Sequence, residues 1–144
     1  MRARFKGVSH TMSSAEEYVS FLYSKFTGSV PLAVGHGGQM KMIYPFVYES
    51  IDLGPIGLVG ISAVENIDLN EAQLFHISSF WPRKGHGSEM MKYLCSLADE
   101  YSVNISLQAE VRFGRNKTLI GKELVLWYRK FGFVGNEFMK RQNG

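Results

Sequence analysis

The stretch Phe75-His-Ile-Ser-Ser-Phe-Trp-Pro-Arg-Lys-Gly-His-Gly-Ser88 runs from an apolar strand pattern through a Gly-x-Gly turn directly into an amphipathic helix. Glycines let another group approach the backbone closely, and the first N–H groups of a helix have no partner within it. Together they make a pocket for an anion such as a pyrophosphate. Further along, Leu126-Trp-Tyr-Arg-Lys-Phe-Gly-Phe133 ends a helix at Gly132 and sets a phenol, Tyr128, one turn before that end.

A chain of 144 residues, 45% hydrophobic and free of repeats, is long enough to bury the core of one domain, 1–144. Its net charge of +3 suits an anionic cofactor as well as nucleic acid and decides nothing alone. The single cysteine, Cys95, excludes an internal disulfide and fits a reducing compartment. Arg2, Arg4 and Lys6 open the chain with no apolar run behind them, and no run is long enough to cross a bilayer. A cytoplasmic protein with no membrane partner is therefore expected. His10, His36, His76 and His86 lack metal-ligand spacing, so no metal is expected, and no Gly-x-Ser-x-Gly elbow supports a hydrolase.

The elements alternate as in a sheet with helices on its faces. Residues 2–8 read as a strand; Ser13 or Ser14 with Glu16 or Glu17 offers a capping box for a helix carrying Tyr18, Phe21, Leu22 and Phe26. Residues 28–38 read as a loop, and its Gly35-His-Gly-Gly38 cluster lacks the Lys-Ser/Thr ending of a P-loop. Strands over 41–50 and 57–65 are joined by a turn around Gly54-Pro55. A strand over 72–79, a helix over 88–101 and a strand over 105–111 form a βαβ unit with parallel strands. A basic loop over 112–120, a helix over 122–131 and a strand over 133–141 close the chain.

The Gly-x-Gly turn and the later Leu-Trp-Tyr-Arg-Lys-Phe-Gly-Phe run resemble the acyl-CoA-binding core of the GNAT N-acetyltransferase superfamily, over roughly the C-terminal half. Pro82 stands where the family usually has Arg or Gln, with Arg83 and Lys84 following; the backbone donors come from Lys84 onward. The resemblance implies an α/β fold with a central mixed sheet, two splayed parallel strands and helices on both faces. It implies acetyl-CoA as co-substrate and direct transfer of its acetyl group to an amine, without a covalent enzyme intermediate. The acceptor and a homodimeric state are left open.

On that resemblance, Arg83, Lys84, Gly85, His86, Gly87 and Ser88 cradle the pyrophosphate. Ile77 supplies the backbone N–H that stabilises the oxyanion, and Ser78 and Ser79 run along the pantetheine. Tyr128 protonates the departing thiolate, since a phenol stays protonated at neutral pH. Two carboxylates compete for the base. Glu110 lies in a Gln-Ala-Glu-Val-Arg segment similar to that of alanine N-terminal acetyltransferases, and Glu71 opens a segment similar to one in histone acetyltransferases. Burial of either would raise its pKa toward neutrality; the plain alternatives are a solvated loop residue at a strand start for Glu71 and a strand-end charge pairing with Arg112 for Glu110. His76 is a third candidate. The family's Asn, seven residues before the Tyr, is Gly121 here. Against these stand an inactive CoA-binding relative and a nucleic-acid module using Arg112-Phe-Gly-Arg-Asn-Lys117, with nucleic acid the less favoured partner.

Overall fold

The computed structural model describes residues 12–36, 39–64, 70–109 and 117–144. The first helix, α1 (Ser14–Lys25), begins where its sequence dictates. Ser13 Oγ accepts from the Glu16 N–H and the Glu16 carboxylate accepts from the Ser13 N–H, a complete capping box. Its inward stripe is Ala15, Tyr18 and Leu22, with Phe26 buried at the C-cap, whereas Phe21 stays partly exposed.

The segment expected as a loop contains a hairpin, β1 (Leu32–His36) with β2 (Gln39–Ile43), paired from Leu32 with Ile43 to His36 with Gln39. Glycine-rich composition hid it, although a Gly-Gly pair between two short apolar runs is itself a hairpin signal. The run 41–50 is two strands, because Pro45 has no N–H to give a ladder: β2 ends at Ile43 and β3 (Phe46–Ser50) starts after the proline. The expected strand over 2–8 lies outside the described residues.

From β3 the chain turns through 51–53 into β4 (Gly54–Ala63), then β5 (Glu71–Ser79), α2 (His86–Tyr101), β6 (Asn104–Gln108), α3 (Lys117–Arg129), β7 (Val134–Gly135) and β8 (Phe138–Arg141). Among the described residues, six strands form one sheet in the order β3-β4-β5-β6-β8-β7, in which only β5 and β6 run parallel. α3 starts earlier than expected and runs through Gly121. A glycine costs a helix about 1 kcal/mol, which does not end it.

α1 and α2 pack on each other and on the sheet, pinned where the buried Tyr18 hydroxyl donates to the Leu94 carbonyl at 2.9 Å. Met90, Met91 and Leu94 of α2 fill the space over Ile56, Val59, Ile61 and Ile105, all fully or almost fully buried. Burying side chains of this size contributes about 1.5–3 kcal/mol each. Gly57 faces α2, where a Cβ would overlap Met90 and the Ser78 carbonyl.

Candidate active site

Strand β5 behaves differently at its two ends. Its first part pairs with β6 from Glu71 with Asn104 to Leu74 with Leu107, and there the parallel ladder stops. Beyond it, Gln108 pairs with Phe138 and the Ala109 N–H donates to the Glu137 carbonyl at 2.7 Å, so β6 follows β8. β5 meanwhile stays with β4 to Ser79. The two parallel strands therefore splay.

A bulge lies at the divide. Ile61 faces Leu74 and Gly60 faces His76, which leaves Phe75 as the extra residue on β5. The lack of a side chain at Gly60 gives the Phe75 ring its room, since a Cβ there would run into it. The bulge also reverses which backbone groups point outward. The Phe80 N–H donates to the Ile56 carbonyl at 2.9 Å, which fixes the phase of the ladder. Because bonded pairs alternate, Ser78 with Leu58 is a bonded pair, while Ile77 with Val59 and Ser79 with Gly57 are unbonded ones. The N–H and C=O groups of Ile77 and Ser79 consequently aim away from β4, into the gap.

The gap opens onto the start of α2. Gly85 is the N-cap, with φ +79°, and no side chain caps the helix. The first intrahelical bond runs from the Glu89 N–H to the Gly85 carbonyl, so the N–H groups of His86, Gly87 and Ser88 have no partner in the helix. Arg83 and Lys84 are exposed in the preceding turn, and Arg83 itself has φ +67°, a conformation a side chain disfavours. His86 Nδ1 is buried with no hydrogen-bond partner among the described residues.

Between the strands, α2 and α3 lies a cavity of about 380 Å³, lined by β5 from Leu74 to Ser79, by Gly87, by Gln108, and by Leu124, Trp127 and Tyr128 of α3. Tyr128 is 7% exposed and packs against Trp127 and Phe133. Ile77, Ser78, Ser79, Gly87 and Tyr128, expected at the site, are thus gathered around one space. Leu124, Trp127 and Gln108 were not anticipated; Trp127 could have been, since it precedes Tyr128 and its indole would be 3.5 Å from a Cβ on Gly87.

Glu71 sits elsewhere. At the start of β5, outside the cavity lining, its carboxylate pairs with Lys140 at 2.9 Å. Burial raises its pKa, but the hydrogen bonds from Lys140 and Ser106 outweigh that and hold the carboxyl below its ordinary value. Glu110 lies outside the described residues, as do residues 112–116 of the basic segment. Cys95 is buried in α2, where loss of hydration pushes its thiol up to about 11, so it offers no nucleophile at neutral pH.

No family model matches the sequence, and no curated protein matches it at a significant level. Among solved structures, the chain is similar to Tetrahymena GCN5 at TM-score 0.50 and 11% identity, over 70% of this chain and 68% of that one. The chain has the GNAT acetyltransferase fold. Nourseothricin acetyltransferase is similar at TM-score 0.47 and 15% identity, over 81% of this chain and 85% of that one. The GNAT-family N-acetyltransferase YhbS of Escherichia coli, solved in complex with CoA, is similar at TM-score 0.47 and 12% identity, over 91% and 68% of the two chains. Among the described residues of this GNAT-fold chain, no helix is long and apolar enough to cross a membrane.

Proposed function

We propose that this protein is an acetyl-CoA-dependent N-acetyltransferase that moves an acetyl group directly to an amine acceptor in a ternary complex. The observation that supports this reading is the convergence of three features on one cavity: the uncapped N-terminus of α2, the outward backbone groups of splayed β5, and the Tyr128 side chain. A pyrophosphate suits the first and an extended pantetheine arm the second, pairing like an added strand. The Ile77 N–H faces the place where a thioester carbonyl would lie and stabilises negative charge on its oxygen; such preorganised donors contribute about 3 kcal/mol in related acyl transfers. Tyr128 protonates the departing thiolate. Arg83 and Lys84 add positive charge beside the cradle.

Acetyl-CoA should raise the melting temperature of the protein, because a ligand of the native state stabilises it by mass action. Gly87→Leu, which presses on Trp127 and fills the cradle, should abolish that shift while the free variant still unfolds cooperatively. A wild-type melting temperature unmoved by acetyl-CoA overturns the reading. Nothing among the described residues favours the nucleic-acid module.

A further inference from the structure

We propose that Ser78 and His76 form the proton relay that deprotonates the attacking amine; this rests on the acetyltransferase reading. His76 Nε2 lies 3.0 Å from Ser78 Oγ, and both residues line the cavity on either side of Ile77 in the sequence. The bulge at Phe75 brings this about. It turns His76 toward Gly60 and Ser78 toward Leu58, so the two side chains share the sheet face away from α2, while the Ile77 N–H between them enters the gap. Among the described residues lining the cavity, His76 and Tyr128 are the only titratable side chains. One is suited to accept a proton near neutrality and the other to donate one.

The step balances. The amine lone pair forms the N–C bond to the thioester carbonyl carbon as the carbonyl π electrons move to oxygen, beside the Ile77 N–H. The amine proton passes to Ser78 Oγ while the hydroxyl proton of Ser78 passes to His76 Nε2. The oxygen electrons then re-form the C=O bond, the C–S bond breaks, and the thiolate takes the Tyr128 proton. The products are the amide and the free thiol, and solvent exchange returns His76 and Tyr128 to their starting states. His76 is the terminal base, and Ser78 is the group that touches the substrate.

The test measures thiol release from acetyl-CoA, with spermidine and a lysine-containing peptide as acceptor probes, across pH 5–9. His76→Gln should lower kcat about 100-fold or more and remove the acid limb of the wild-type pH profile. Ser78→Ala should lower kcat about tenfold, at the low end for loss of a proton-transfer group, and Ser78→Thr, which keeps a hydroxyl, should restore it. Acetyl-CoA affinity and melting temperature should hold in all three. Retention of the acid limb in His76→Gln, with its loss in Glu110→Gln, overturns the relay and gives the base to Glu110. Full turnover in Ser78→Ala also overturns the relay. A wild type that acetyl-CoA does not stabilise is a different result, and overturns the functional reading instead.

Discussion

The two ends of β5 carry the same kind of sequence and end up in opposite conditions. At Glu71–Leu74 the strand is paired on both sides, and its one charge is neutralised by Lys140. At Ile77–Ser79 it is paired on one side only among the described residues, and its outward N–H and C=O groups face a cavity. Unmade backbone hydrogen bonds are costly in a protein interior, which is why an unpaired run between two strands of one sheet signals a place kept for something extended. The bulge at Phe75 separates the regimes. The closed end supplies rigidity, and the open end supplies the donors.

The contrast breaks most readily at Tyr128. Tyr128→Phe keeps the ring that packs on Trp127 and Phe133 and removes only the hydroxyl. Turnover should fall about 100-fold or more, with melting temperature and acetyl-CoA affinity unchanged. Equal turnover would make Tyr128 a packing residue and deprive the open end of its acid. A smaller effect is expected at the divide. Gly60→Val places methyl groups where the Phe75 ring lies, and overpacking of this kind costs about 1–3 kcal/mol. A lower denaturation midpoint with an unchanged m-value should register it; an unchanged midpoint would mean that the bulge relaxes freely and does not set the geometry.

Much of this was legible beforehand for local reasons. The capping box at Ser13 and Glu16, the strand-turn-helix from β5 to α2, and the stop after Tyr128 are each written within a few residues, and each appears in place. The early start of α3 was not, because Gly121 looks like a break, although Asn116, a residue type that favours the N-cap, stands immediately before Lys117. The bulge at Phe75 has no local signature either. It follows from β4 offering Gly60, a small residue opposite a large one, which only the register reveals. That same register decides that His76 and Ser78 share a face and that the Ile77 backbone turns into the gap. The site's residue types were readable; their directions were a property of the pairing.

The smallest predicted effect tests the closed end. Burial raises the pKa of Glu71, but its bonds to Lys140 and Ser106 outweigh this and hold the folded value below the ordinary one. A depressed carboxyl contributes stability that is fully present above about pH 4.5 and is lost as pH falls through the folded value. Glu71→Gln should therefore be less stable than wild type at pH 7, by at most about 1 kcal/mol given the partly exposed Lys140, and the gap should close toward acid pH. Its turnover should stay within about twofold of wild type, since no proton-transfer group has been removed. A loss near 100-fold at constant stability would place Glu71 in the chemistry. Both ends of the strand would then serve the reaction, and the division at Phe75 would be one of structure alone.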